Sequence, residues 1–283
     1  PEYPSGYRGF ESLPHRSVIN APFPRGEGRF LFDSLPAERC PAFRMTDSSF
    51  HDERLPDPRS AAPDADPADP DLARALAGDL LSIGAVVLRP EAPFTWSSGL
   101  QSPIYCDNRR TLSVPRIRQA ICDGFERAVQ QHDWLPATLA GTATAGIAHA
   151  AWLAERVDQP MAYVRSSAKS HGRKNQIEGI VSPGDAVVVV EDLISTGGSA
   201  LDAVAALRDA GADVRGVVAI FSYEFDRAET AFREANVPLH TLTGYRMLVD
   251  VARAQGDLSD DELATLHDWR RDPEAWSEQH AAR

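Results

Sequence analysis

Glu191 and Asp192 follow four valines and precede a loop of small residues, in the stretch VVVVEDLISTGGSA at 187–200. Four valines in a row read as a strand buried on both faces. The two acids are then expected at its carboxyl end, with a helix from Ala200 onward. Between them Leu193 and Ile194 lead into Ser195, Thr196, Gly197, Gly198 and Ser199. Small residues let backbone N–H groups converge on an anion, and the dipole of the following helix adds to the attraction. The hydroxyls of Ser195, Thr196 and Ser199 are further donors. A phosphate in this loop is repelled by the carboxylates unless neutral hydroxyls lie between them. Carboxylates accept hydrogen bonds from vicinal hydroxyls, so a 5-phosphorylated ribose satisfies both ends of the stretch.

Two more segments belong to the same chemistry. Arg165, Lys169, His171, Arg173 and Lys174 crowd into VRSSAKSHGRKNQIEG at 164–179. No apolar residue anchors that stretch between Val164 and Ile177, as expected of a loop that closes over a highly charged anion. GTATAG at 141–146 suits a backbone that approaches an anion closely, but Ile147 stands where a Walker loop needs lysine. No GxGxxG and no GxSxG occurs, so neither a dinucleotide site nor a serine-hydrolase elbow is expected. His132, His149, His240, His267 and His280 have no partner at metal-ligand spacing. Trp96 and Tyr105 read equally as packing or as walls for a planar ligand.

These residues need a scaffold, and the pattern supplies one. Strands are expected at 85–89, 137–141, 161–165, 187–190 and 213–223. Helices are expected from Asp71, as its N-cap, to about 83, and over 114–132, 146–157, 199–211 and 228–235. Two more helices close the chain, the last capped by Ser259 or Asp257. FTWSSGLQSPIYCDNR at 94–109 reads as a small hairpin or hood. Strands alternating with helices give an α/β fold with a parallel sheet covered on both faces. In such sheets ligands bind beyond the carboxyl ends of strands, where 141–146, 166–178 and 191–199 all fall.

The chain of 283 residues is 43% hydrophobic and 25% charged, the mixture of a globular protein. Its net charge of −12 does not attract nucleic acid. No apolar run is long enough to span a membrane. There is no secretory pattern at the start, and three cysteines without CxxC spacing suit a reducing, cytoplasmic setting. Residues 1–68 read as a Pro-rich, acidic tail, with eight acids and two arginines over 46–72. Met45 is the first methionine, so a natural start there and a true extension are both open. The working domain is expected at 69–283, with a hood from about 71–110 plus C-terminal elements and a core of about 111–240.

VVVVEDLISTGGSA is similar to the phosphoribosyl-pyrophosphate (PRPP) signature of type I phosphoribosyltransferases. Together with the hood stretch, GTATAGIAHA and YVRSSAKSHGRKNQIEG, the chain resembles the orotate phosphoribosyltransferases of pyrimidine synthesis over about 72–275. The resemblance implies the type I fold, with a central parallel sheet, flanking helices and a small hood. It also implies transfer of the phosphoribosyl group from PRPP to orotate, giving orotidine 5′-monophosphate and pyrophosphate, with Mg²⁺ held mainly by substrate and water. Glu191 and Asp192 would hold the ribose hydroxyls, and Leu193 to Ser199 the 5-phosphate, with Ser195 also near orotate. Arg165, Lys169 and His171 would bind pyrophosphate, Lys169, His171 and Asp192 being the catalytic set. A homodimer is implied, with loop 166–178 acting across the interface. Other members carry Lys where Ser97, Ala145 and Ser166 stand, and Arg near Tyr223. Those contacts are expected to be missing here, which leaves backbone N–H groups, hydroxyls or Arg109 to hold the orotate carboxylate.

Two rivals share parts of this pattern. A purine phosphoribosyltransferase would have the cradle without the SPIYCDNR hood. A PRPP-sensing regulator would need a nucleic-acid-binding element, and 1–70 shows neither helical pattern nor basic patch.

Overall fold

The computed structural model describes residues 69–281 except Ser97 and 167–175. The expected tail at 1–68 lies outside the described residues. Helix α1 (Pro70–Ser82) starts two residues earlier than expected. Its N-cap is Asp69, whose carboxylate accepts from Leu72 N at 3.0 Å, and Pro70 takes the first helical position.

Four short strands form the hood: β1 (Val86–Leu88), β2 (Phe94–Thr95), β3 (Gln101–Ser102) and β4 (Ile104–Cys106). They pair antiparallel as β1 with β4 and β2 with β3. A 3₁₀ turn at Asn108–Ser113 leads into helix α2 (Pro115–Gln131).

The rest alternates. Strand β5 (Thr138–Thr142) is followed by α3 (Gly146–Val157), β6 (Met161–Val164), β7 (Ile177–Glu178) and β8 (Ala186–Ile194). Then come α4 (Gly198–Asp209), β9 (Asp213–Ser222), α5 (Asp226–Glu234), β10 (Leu239–Gly244), α6 (Tyr245–Gln255), α7 (Asp260–Arg271) and α8 (Pro273–Ala281). Strand β10 and the third closing helix were not anticipated from the sequence. LHTLTG runs straight into α6, with Gly244 both the last strand residue and the helix N-cap, so a single glycine is the one mark of the boundary. Ser259 does cap a helix, through a capping box with Glu262, but the helix is α7 rather than the last one.

The sheet order is β10-β9-β8-β5-β6-β7, parallel throughout except for β7. Val188 and Val190 of β8 face one apolar core, with α1, α2, α3, α6 and α7. Val187 and Val189 face the other, with α4 and α5. Burial on both faces is why the strand carries no alternation of polar residues. From β5 the chain crosses to β6 on one side; from β8 it crosses to β9 and β10 on the other. The crossing direction therefore reverses between β5 and β8, and a crevice opens beyond their carboxyl ends. No helix among the described residues is long and apolar enough to cross a membrane.

His149 and His240 are buried in this scaffold, and burial lowers both imidazoles from the usual 6.5 to about 4. A folded value below the unfolded one gives stability that is complete above pH ~6.5 and is lost as pH falls toward 4. Urea unfolding should show a loss of roughly 2 kcal/mol per histidine between pH 7 and 5. His240→Phe should halve that dependence, leaving the part due to His149; an unchanged slope would show that burial of His240 does not contribute to it.

Candidate active site

The crevice between β5 and β8 is a cleft of about 320 Å³ lined by Ala143–Ala145 and by residues 191–200. The first wall is the GTATAG turn, which includes a cis peptide between Ala143 and Thr144. Packing alone requires its glycines. A Cβ on Gly141 would lie 2.8 Å from the Gly146 carbonyl, and one on Gly146 would overlap the Val190 carbonyl. Only glycines let α3 start this close to β8.

The second wall is the loop after β8. Gly197 has φ +83°, and a Cβ there would lie 2.7 Å from the Phe232 ring, so this position requires glycine. Helix α4 then begins at Gly198 with no side-chain cap. Its first N–H groups have no side-chain acceptor and sit at the positive end of the helix. That combination is an anion cradle.

Glu191 and Asp192 lie in the same cleft, though not at the strand's end as expected. The pairing of β8 with β5 stops at Val190, while its pairing with β9 runs on to Ile194. The acids therefore occupy the segment where β8 has lost one strand neighbour. Glu191 is buried, and its Oε1 accepts from Asp192 N at 2.9 Å. Burial raises both Glu191 and Asp192 above the usual carboxylate range. The shift favours the protonated form of each, which eases the repulsion of an anion beside them.

A second cavity of about 640 Å³ opens under the hood, with Trp96, Tyr105 and Tyr223 among its walls. Trp96 packs on Tyr223 at 5.4 Å between ring centroids, and its indole N–H donates to the Ile104 carbonyl at 3.1 Å. Leu193, Ser195 and Thr196 line both this cavity and the first cleft, so the two are contiguous. Cys106 also lines it, and burial holds its thiol well above the usual value, leaving it a poor nucleophile.

Arg109 does not line this cavity; its Nε pairs with Asp107 at 2.6 Å. Arg227 does line it, which corrects the expectation that no arginine stands near Tyr223. Its guanidinium lies 5.2 Å from the Phe225 ring centroid and pairs with Glu274 at 2.8 Å. Nothing in the sequence singled out Arg227, because an arginine in the first turn of a polar helix reads as solvated surface.

Of the other expected residues, Leu193 to Ser199 are all brought together at the cleft. Arg165 stands just past β6, with its N–H donating to the Gln176 carbonyl at 2.9 Å and its Nη1 3.7 Å from Glu178. The two ends of the cationic loop are thus tied together. Lys169 and His171 lie outside the described residues. Among the described residues no group of three or more His, Cys, Asp or Glu side chains is placed to hold a metal ion.

A family profile described as the phosphoribosyl transferase domain matches residues 112–241. The orotate phosphoribosyltransferase of Halalkalibacterium halodurans is 54% identical over 202 residues, 71% of this chain and 96% of its own length. The chain belongs to the orotate phosphoribosyltransferase family. Among solved structures, the orotate phosphoribosyltransferase of Aeropyrum pernix gives a TM-score of 0.57 at 29% identity, covering 65% of this chain and 99% of that one. The enzyme of Mycobacterium tuberculosis, solved in complex with PRPP, gives 0.50 at 26% identity, covering 62% and 98%. The type I fold and its hood are therefore as the resemblance implied, and the chain is a pentosyltransferase of pyrimidine biosynthesis.

The glycines of the family's two turns allow a sharp contrast. Gly146→Ala places a methyl group on the β8 backbone and should cost roughly 2–4 kcal/mol in urea unfolding. A Cβ on Gly198 meets only Thr196 Oγ1, at 3.8 Å, so Gly198→Ala should change stability by less than about 1 kcal/mol. Its methyl group nevertheless enters the cleft, and titration with inorganic phosphate should show weaker binding. Equal stability losses in the two variants would contradict this account of the turns.

Proposed function

We propose that the cleft binds PRPP and the hood cavity binds orotate, with the reacting C1 at their junction. The observation that carries this reading is the shared wall of Leu193, Ser195 and Thr196. A ligand that spans both spaces must pass that wall. The 5-phosphate sits on the loop from Ser195 to Ser199, against the uncapped start of α4. Glu191 and Asp192 accept from the ribose hydroxyls. Orotate lies against Trp96 and Tyr223, with Ser195 beside it and its carboxylate paired to Arg227.

The chemistry follows from this placement. The orotate nitrogen attacks C1 as the bond to pyrophosphate breaks, so positive charge develops on the ribose and negative charge on the leaving group. The carboxyl pair favours the first, and cationic side chains the second. Arg165, Lys169 and His171 are assigned to the leaving pyrophosphate. The carboxylate oxygens of Glu191 and Asp192 are hard donors of the kind Mg²⁺ prefers, too few to form a cage, so substrate and water would complete its shell. When bound, Mg²⁺ supplies charge neutralisation on the pyrophosphate oxygens.

We further propose a homodimer in which loop 166–178 serves the partner's cleft. The loop leaves the sheet at the β6–β7 edge, and Ile180 just beyond it is 85% exposed, an apolar contact for a second copy. A cytoplasmic setting suits the free thiols of Cys106 and Cys122.

The assay offers orotate, adenine, hypoxanthine and uracil with PRPP and Mg²⁺ and follows loss of orotate absorbance. Orotate should be consumed; consumption of a purine alone would overturn the reading. Arg227→Gln should raise KM for orotate by about ten-fold or more while leaving KM for PRPP within two-fold. Equal changes in both constants would remove Arg227 from the orotate site. Lys169→Ala should lower kcat by orders of magnitude with the fold intact. Mixed with Asp192→Ala, it should recover up to about one quarter of parental activity through hybrid dimers; no recovery would refute the cross-subunit arrangement.

A further inference from the structure

Asn108 is 1% exposed and belongs to no wall of either cavity. It is the first residue of the 3₁₀ turn that follows the hood strands. Its carboxamide Nδ2 donates to the Asp192 carbonyl at 2.6 Å, and its Oδ1 accepts from the Cys106 thiol at 3.4 Å. One side chain thus joins the hood wall to the acid pair.

The need for this bond lies in the sheet. Strand β8 loses β5 as a neighbour after Val190. Carbonyls two residues apart on a strand point to the same edge, so those of Val190 and Asp192 both face the vacated side. Thr142 Oγ1 donates to the first at 3.2 Å, and Asn108 donates to the second. Two side chains thus extend the ladder that β5 abandons when it turns into GTATAG. Without Asn108 the Asp192 backbone would have an unpaired carbonyl in a part-buried setting beside the cleft, a group free to shift or to take up water.

We propose that Asn108 is a positioning residue: by fixing the Asp192 backbone it aims the carboxyl pair at the ribose hydroxyls, and it makes that aim depend on the hood's placement. This rests on the reading that the acids hold the ribose. The sequence offers no hint of it, since an asparagine between Asp107 and Arg109 reads as a turn residue.

Calorimetric titration of the full chain with ribose 5-phosphate and with inorganic phosphate separates aim from scaffold. Asn108→Leu keeps the branched heavy-atom skeleton, though with more bulk, and removes the donor. It should weaken ribose 5-phosphate by about ten-fold or more, with phosphate affinity within two-fold of the parent. Thr111→Val, which removes the 2.6 Å bond from Thr111 Oγ1 to the Asn108 carbonyl in the same turn, should leave both affinities within two-fold. Asn108→Asp, with an acceptor in place of the donor, should repeat the selective loss and stands in if Asn108→Leu does not fold. Parental ribose 5-phosphate binding, equal loss of both ligands, the same loss in Thr111→Val, or failure of both Asn108 variants to fold would each overturn the proposal. Asp192→Asn is run alongside: if it too binds ribose 5-phosphate like the parent, the assignment of the acids has failed, and the role of Asn108 with it.

Discussion

The site depends on one mismatch in the sheet: β8 keeps β9 as a neighbour to Ile194 but loses β5 after Val190. In the central strand of a parallel sheet, both edges are normally consumed by ladders. Here four residues of β8 stay rigid on one side while the other side is open. That gap leaves the strand open to the cleft. The two glycines of GTATAG make it possible, because they let β5 turn away and α3 begin against the Val190 carbonyl. The uncapped start of α4 lies next to the same gap, so a carboxyl pair and an anion cradle stand within the length of one phosphorylated sugar.

Such proximity is electrostatically awkward, and burial is part of the answer. Desolvation raises both Glu191 and Asp192, which weakens the tendency of the free site to hold two charges beside the cradle. A ligand that brings hydroxyls to the acids and phosphate to the helix start satisfies both partners. One that brings phosphate to the acids satisfies neither. On the proposed reading, the same layout sets the direction in which a substrate enters.

Much of this was readable from the chain. The run of valines identified the central strand because burial on both faces removes the polar alternation. The small residues after Ile194 pointed to the loop that lines the cleft, because few other residues allow N–H groups to converge. What escaped notice was whatever depends on distant partners. Strand β10 is written LHTLTG and merges with α6 without a turn. Arg227 gains its meaning only when α5 brings it to the rim of the hood cavity. Gly141 and Gly146 stood out as a turn near an anion, but not as the place where backbone packs against backbone, which depends on β8 and α3 being brought together. Asp71 looked like the helix cap, but Asp69 followed by proline is the better start.

The central claim is the orientation of the sugar between Asp192 and the start of α4. A crystal structure of the full chain with PRPP tests it most directly. The account predicts the 5-phosphate on the N–H groups of 196–199 and the ribose hydroxyls within hydrogen-bonding distance of Glu191 or Asp192. Density for the 5-phosphate on the GTATAG turn, or for the ribose away from both acids, would contradict it.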